Sequence, residues 1–277
     1  MKKRIITGAF LLLFLLAMCI WADTEAFPVA LAIVTLFGVY EMLNCTGIRK
    51  NLFVAIPLYV ASLAVPFLMR HLRVTVFSHL PKILIALLLF VLYVLTIVVF
   101  SRGRYDITET LAGTVLCLYI IGAMACIMYV RDLKNGEFYW IFMFIGAWMT
   151  DVFAYFTGRL FGKHKLIPEI SPKKTVEGAI GGVLGCVIAN VILYAVYDNF
   201  IFENPVHNYF PIVVASVITS VVGMCGDLTA SLIKRNYGIK DFGNLIPGHG
   251  GIMDRFDSIM FVSAAFYAVF NIFEVSI

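Results

Sequence analysis

The sequence predicts an all-helical protein that crosses a membrane about nine times. Of its 277 residues, 61% are hydrophobic and 14% are charged, whereas a soluble domain is about 45–50% apolar and about 25% charged. The apolar stretches are long and unbroken, while a membrane β-barrel alternates apolar and polar residues. This composition excludes a soluble enzyme, a secreted disulfide scaffold and a disordered regulator. A net charge of only +4 argues against nucleic acid as a partner.

Nine apolar runs approach the length of about 20 residues that a spanning helix needs. Charged residues, or clusters of Pro, Gly and Asn, bound each run. The first two are the shortest and are separated only by Ala22 to Ala26, so that they could form one tight helical hairpin or a re-entrant pair, and a total of eight or ten remains open. The runs cover 5–21, 27–43, 52–69, 83–100, 108–130, 138–157, 176–197, 210–231 and 252–276.

The distribution of basic residues predicts a cytoplasmic N-terminus. With that orientation, sixteen of the 21 lysines and arginines fall on the cytoplasmic side, as the positive-inside rule requires. The segment 70–82, which contains Arg70, His71 and Arg73, argues the other way. The charged start followed by Ile5–Ile20 indicates a retained signal anchor, and we expect the protein in a bacterial inner membrane.

The two halves of the chain differ in their polar content. Residues 1–137 have short loops and few acids in their spans, apart from Glu41 and Glu109, and we interpret them as hydrophobic scaffold spans. Residues 138–277 contain two long basic segments, at 158–175 and 234–251, flanked by spans with acids at their ends. We therefore expect the C-terminal half to be the catalytic membrane domain.

The first candidate group is at the cytoplasmic end of the eighth span. Helical spacing places Asp227, Ser231 and Lys234 on one face. A carboxylate within a membrane is costly and therefore suggests a function. The alternative is that Asp227 pairs with Lys234 or Arg235 and only orients the helix.

The second group is a glycine-rich segment from Gly243 to Gly251 that leads into the ninth span. Its backbone can approach a ligand closely and present N–H groups to an anion. Asp254 and Asp257 follow at the start of the helix. Either acid could simply cap the helix, but two acids beside an anion site indicate Mg²⁺ between carboxylate and phosphate.

The third group begins at the end of the sixth span, where Asp151, Tyr155 and Arg159 share a helical face. It continues with a compact set of donors, Ser171, Lys173, Lys174 and Thr175, and with Glu177, which could close a helix cap. Positive residues here could serve only topology and lipid contact, but their arrangement favours phosphate recognition. The glycines that follow, Gly178, Gly181, Gly182 and Gly185, indicate a helix-packing face.

Together these groups suit chemistry on phosphates at a membrane surface. Bound metal and basic side chains would neutralise two polyanions and stabilise the leaving oxygen. A phosphate monoester already carries an ionised oxygen near neutral pH. An ionised phosphate oxygen can attack without a general base, which agrees with the absence of an evident pairing of a nucleophilic side chain with a base in the sequence.

The 27 residues from Ser231 to Asp257 resemble the signature of phosphatidate cytidylyltransferases, also called CDP-diacylglycerol synthases. The stretches 171–178 and 226–228 are also similar to that family, whereas the N-terminal half resembles it only in being hydrophobic. The resemblance implies condensation of CTP with phosphatidic acid to CDP-diacylglycerol and pyrophosphate, with Mg²⁺ as cofactor. It also implies a homodimer among membrane lipids.

The resemblance also implies roles for individual residues. The metal carboxylates would be Asp227 and Asp254, assisted by Asp257, and Lys234 would be a further catalytic residue. The substrates would be bound by Ser171, Lys173, Lys174, Ser231, Arg235, Lys240, His249 and Arg255.

Two other functions remain open at this stage. One is another membrane lipid phosphotransferase, such as a polyprenol kinase, which would need a base for a hydroxyl nucleophile. A CDP-alcohol phosphotransferase is less suitable because its D-G-x-x-A-R run does not occur in the sequence. The other is an ion-coupled transporter that uses Asp227 and Asp151, although such a protein would carry acids near the middle of the membrane.

Overall fold

The computed structural model describes residues 13, 17–72, 76–201, 207–246, 248 and 250–273. Within these residues the chain forms eight long helices and one short β-hairpin, between the fifth and sixth helices. A 3₁₀ turn at Ile48–Lys50 joins the first two helices. The helices are α1 (Ala26–Cys45), α2 (Leu52–Leu72), α3 (Val76–Phe100), α4 (Ile107–Arg131), α5 (Gly136–Phe161), α6 (Val176–Phe200), α7 (Phe210–Asn236) and α8 (Met253–Phe273); the strands are β1 (Lys165–Ile167) and β2 (Ser171–Thr175).

The predicted class of all-helical, polytopic membrane protein is confirmed. Seven of these helices, α1 to α7, are long and apolar enough to cross a membrane, and α8 occupies the position of the ninth predicted span. Of the first predicted span, only residue 13 and residues 17–21 are described, and 17–20 are helical. The predicted signal anchor therefore lies largely outside the described residues.

The apolar core lies where α1, α4, α5 and α8 meet. Met42, Met124, Trp140 and Met260 are completely or almost completely buried there. Helix α3 instead leaves most of its apolar side chains exposed, as expected for a helix that faces lipid.

The predicted glycine-packing face of α6 is confirmed, and it packs against α5 of the same chain. A β-carbon at Gly181 would overlap the side chain of Thr157, and one at Gly185 would overlap the ring of Phe153. Small residues allow two helix backbones to approach closely in a membrane. Because α5 already covers this face, it is not available to a second copy of the chain.

The hairpin was not predicted, because five residues with two lysines and a proline do not show a strand pattern. Strand β2 pairs antiparallel with β1, with Lys165 opposite Thr175. Thr175 then caps α6, and its hydroxyl accepts a hydrogen bond from the Gly178 N–H at 3.1 Å. The predicted donor set is therefore held on a β-strand that ends at a helix cap.

Basic residues at the opposite end of the bundle are neutralised within the chain. Arg70 donates to the carbonyl of Ala22 at 2.9 Å and lies 3.6 Å from Asp132. Arg131 pairs with Asp23. Of the five basic residues predicted to lie on the side opposite the cytoplasm, two, Arg70 and Arg131, therefore form ion pairs with acids.

Candidate active site

The three groups of polar residues found in the sequence converge at one end of the helical bundle. Asp151 from α5, Asp227 from α7 and Asp257 from α8 lie close enough for their charges to interact. Lys174 and Arg255 act electrostatically on Asp151. Lys234 acts in the same way on Asp257, so that bases from both basic segments and acids from three helices form one charged site.

An ion pair between Lys174 and Asp227 connects the hairpin to α7. Each side chain is only about one quarter exposed, at 27% for Lys174 and 24% for Asp227. The hairpin explains this contact, because pairing of β2 with β1 holds Lys174 in an extended segment instead of a free loop. Asp227 is thus paired with a lysine, but with Lys174 and not with Lys234.

A second ion pair joins Lys234 of α7 to Asp254 of α8. Lys234 Nζ lies 2.7 Å from Asp254 Oδ1, and the two side chains are 12% and 4% exposed. Asp254 Oδ2 accepts the backbone N–H groups of Phe242 at 2.9 Å and Gly251 at 3.0 Å. A buried ion pair is tolerated only when further hydrogen bonds satisfy its charges, and these two backbone hydrogen bonds meet that condition. They also connect Asp254 to both ends of the glycine-rich segment.

The glycine-rich segment folds back on itself before α8. The Ile246 N–H donates to the carbonyl of Gly250 at 2.9 Å, which closes a tight turn. Gly248 and Gly250 have φ values of +80° and +85°, a conformation that residues with a β-carbon rarely adopt. Pro247 and His249 lie outside the described residues, so that the predicted role of His249 remains a prediction.

The scaffold half contributes one residue that the sequence analysis did not include in the site. Glu41 of α1 is buried, and its carboxylate accepts the N–H groups of Ile252 at 3.0 Å and Met253 at 2.9 Å. These groups belong to the start of α8, where N–H groups have no partner within the helix. A β-carbon on Gly243 or Gly251 would overlap the same carboxylate.

A signal for Glu41 was present in the sequence. It is a lone carboxylate near the end of an otherwise apolar span, and such residues are functional candidates by default. Its partners, however, lie more than 200 positions away along the chain, and no local pattern indicates them.

The remaining predicted residues surround this centre. Ser171 and Ser231 are half-buried. Glu177 does not act as the predicted cap partner: it accepts the N–H groups of Lys163 at 3.1 Å and His164 at 3.2 Å, and the cap of α6 is formed by Thr175. The exposed basic residues are Lys173, Arg235, Lys240 and Arg255.

The chemistry of the carboxylates at this site fits Mg²⁺. Carboxylate oxygens are its preferred protein ligands, and Mg²⁺ is commonly held by one or two of them together with substrate phosphates. In the part of the chain that the structure describes, no three or more His, Cys, Asp or Glu side chains are grouped so that they could hold a metal ion by themselves. Asp254 Oδ1 accepts one hydrogen bond, from Lys234, and an ionised carboxylate has about four acceptor sites.

The fold and the site define an integral membrane protein with a charged centre at one membrane face, suited to bind polyanions. The model of the cytidylyltransferase family matches residues 2–273. This chain therefore belongs to the cytidylyltransferase family, as the resemblance in the sequence implied.

Bacterial relatives match over most of the chain. The phosphatidate cytidylyltransferase of Bacillus subtilis strain 168 is 33% identical over 280 residues, covering 99% of both chains. That of Staphylococcus haemolyticus is 33% identical and covers 95% of this chain and 96% of the relative. That of Staphylococcus aureus strain COL is 35% identical and covers 83% and 84%.

Proposed function

We propose that this protein transfers the cytidylyl group of CTP to phosphatidic acid, giving CDP-diacylglycerol and pyrophosphate. The observation that supports this most directly is the meeting of the two basic segments at carboxylates, Lys174 with Asp227 and Lys234 with Asp254. Such a centre suits two phosphate-bearing substrates. The names of the relatives supply the two substrates.

In the proposed reaction a phosphate oxygen of phosphatidic acid attacks the α-phosphorus of CTP. A new P–O bond forms while the bond between the α-phosphorus and the bridging oxygen breaks, and pyrophosphate leaves. Lys173, Lys174 and Ser171 hold one polyanion, and Arg235, Lys240 and Arg255 contact the other, as do Ser231 and His249. Positioned cations of this kind stabilise the charge that develops on the leaving oxygen.

We further propose that Asp227 and Asp254, assisted by Asp257, would hold Mg²⁺ when substrate phosphates supply the remaining ligands, since the described side chains alone do not form a metal site. The bound ion would neutralise phosphate charge and orient the attacking and leaving oxygens. Asp257 is buried beside Asp227, and a cation there would relieve the repulsion between the two carboxylates. Asp254 also orders the glycine-rich segment. When CTP and phosphatidic acid are both bound, Lys234 would move from Asp254 toward a substrate phosphate.

The acyl chains of the lipid substrate have a suitable cavity on the same three helices that supply the acids. Its lining is almost entirely apolar and includes Phe142 of α5, Ile212 of α7, and Val262 and Ala265 of α8. At a rise of about 1.5 Å per residue, Ile212 is about 22 Å along α7 from Asp227. A chain that leaves the charged site toward the membrane interior would enter this cavity.

We propose that the protein resides in a bacterial cell membrane with this site facing the cytoplasm. The bacterial relatives and the excess of basic residues on that side support the assignment. We also propose a homodimer. Its interface would use a face of α6 away from the glycines, where Ile180, Leu184, Ile188 and Ile192 are each more than half exposed.

Pyrophosphate release by the full chain in detergent tests the function. We expect release to require CTP, phosphatidic acid and Mg²⁺, and to stop with EDTA. Asp254→Asn should lower the rate by about 10²-fold or more and weaken the thermal stabilisation produced by CTP with Mg²⁺. Glu109→Gln, which removes a negative charge at an exposed position, is the matched control.

Other outcomes would favour the alternatives. Release of a nucleoside diphosphate with diacylglycerol or a polyprenol would indicate a lipid kinase. Ion flux in proteoliposomes without nucleotide would indicate a transporter. Folded protein that releases no pyrophosphate would refute the proposed reaction.

A further inference from the structure

A groove lies between α1 and α2, outside the charged site. We name it the Arg49 groove. It has a volume of about 520 Å³, within the usual range of about 300–1,000 Å³ for ligand sites. Its lining residues are Leu36, Phe37, Tyr40, Arg49, Leu52 and Tyr59.

The groove is at the same end of the bundle as the charged site. Tyr40 lines it and is the direct neighbour of Glu41, whose carboxylate binds the first N–H groups of α8. Tyr40 and Leu52 are partly exposed, at 38% and 61%. The groove therefore opens on the side of the protein, near the C-terminal end of α1 and the N-terminal end of α2.

Arg49 is held in a fixed position at the mouth of the groove. One guanidinium nitrogen donates to the Tyr40 hydroxyl at 3.1 Å and to Asn44 Oδ1 at 3.0 Å. The guanidinium carbon lies 4.7 Å from the centre of the Tyr40 ring, over its face, an arrangement that stabilises a cation. These neutral partners orient the guanidinium without neutralising its charge.

No carboxylate within the described residues forms an ion pair with Arg49. The lysines and arginines that pair with acids have side chains that are at most 27% exposed, and they are Lys174, Lys234, Arg70 and Arg131. Arg49 is exposed, as is Lys173, which also forms no ion pair in the described part of the chain, but Arg49 differs from Lys173 in lining an apolar groove. A guanidinium has five donors in a fork that matches phosphate oxygens. The mouth of the groove is thus complementary to an anion, while its walls are apolar and aromatic.

We propose that the Arg49 groove binds one anionic phospholipid, with the phosphate on Arg49 and an acyl chain against Leu36, Phe37 and Tyr59. A soluble phosphate would leave the apolar walls in contact with water, and a lipid without a phosphate would leave the guanidinium without a counter-ion. A zwitterionic phospholipid would offer a phosphate but would bring its own positive charge close to the guanidinium. This lipid is additional to the substrate, and its binding does not depend on the proposed reaction.

Native mass spectrometry of the full chain in detergent tests the proposal, with phosphatidylglycerol as the probe. We expect one phosphatidylglycerol to be retained in preference to phosphatidylcholine. Arg49→Gln should weaken its binding about tenfold, the loss expected for one hydrogen-bonded charge pair. Lys50→Gln removes the same charge from the exposed neighbour and should leave binding within about twofold, since Lys50 does not line the groove.

A steric pair of variants tests the walls independently of charge. Leu36→Trp should fill the groove and displace the lipid. Leu68→Trp, about 13 Å further along α2 than Tyr59 at a position that is 47% exposed and does not line the groove, should not. If Arg49→Gln does not fold, as judged by its apparent Tm, the comparison of Leu36→Trp with its control variant still tests whether the lipid binds in the groove.

Several results would overturn the proposal. Equal losses in Arg49→Gln and Lys50→Gln would indicate only general attraction of anionic lipid to the surface. Displacement by glycerol 3-phosphate would indicate a soluble phosphate ligand. Loss of the lipid in Lys173→Gln, a residue of the charged site that does not line the groove, would place the lipid in the charged site. Equal retention of phosphatidylcholine would show that the groove does not select a lipid with a net negative charge.

Discussion

The link between Glu41 and α8 provides a stringent test of how this site is built. Glu41→Gln keeps the size of the side chain but replaces one acceptor oxygen with an NH₂ donor. One of the two N–H groups, of Ile252 or Met253, would then face a donor instead of an acceptor. A buried N–H without a partner costs about 1–3 kcal/mol, and losing a negative charge at a helix N-terminus adds about 0.3–1 kcal/mol.

We therefore expect Glu41→Gln to lower the free energy of unfolding by about 2 kcal/mol. For chains of roughly 150–250 residues, such a change lowers Tm by about 4–8 °C. Thermal unfolding in detergent measures this shift. The glycine-rich segment should also become less ordered, because Gly243 and Gly251 pack directly against this carboxylate, and kcat for pyrophosphate release should fall more than the affinity for CTP.

Glu109→Gln is the matched control, since Glu109 is the other acid noted in the N-terminal half and is exposed. Because Glu109 lies in the first turn of α4, Glu109→Gln should cost only the helix-end contribution of about 0.3–1 kcal/mol, a smaller fall in apparent Tm than for Glu41→Gln, and it should leave kcat close to that of the unmodified protein. The reasoning would be refuted if Glu41→Gln behaved in the same way as this control.

Two further variants test neighbouring contacts. Gly251→Ala should destabilise the protein by about 1–3 kcal/mol, because the added β-carbon would overlap Glu41. Gly122→Ala should not destabilise it, because Gly122 has open space around it. Equal apparent Tm values for the two variants would contradict this packing. Ala265→Phe should fill the cavity that this residue lines, and should therefore raise KM for long-chain phosphatidic acid but not for a short-chain analogue. Ala264→Phe, at an exposed position, should alter neither KM. Equal effects of Ala265→Phe on both chain lengths would exclude the cavity as an acyl site.

Local patterns were sufficient for the class of fold and for most of the candidate residues. A spanning helix satisfies its own backbone hydrogen bonds, so its presence can be inferred from one apolar run such as 176–197. The same applies to the packing face of Gly181 and Gly185, because small residues four apart on a helix are informative without knowledge of the partner.

The hairpin of β1 and β2 shows where local patterns failed. Its second strand contains Ser171, Lys173 and Lys174, whose composition does not favour a strand. It is stabilised by pairing with β1 and by the cap of α6 at Thr175. These contacts depend on the position of α5 relative to α6, which the sequence does not encode in any short window.

By itself, the sequence determined which helices form and that acids and bases accumulate near the ends of the last spans, since both follow from residue type and helical period. Only the tertiary structure decided which charges meet. Lys174 pairs with Asp227, Lys234 pairs with Asp254, and Glu41 binds the first turn of α8. The physical reason is that a buried charge or N–H group must find a partner, and the partner is whichever group the packing of distant helices brings within reach.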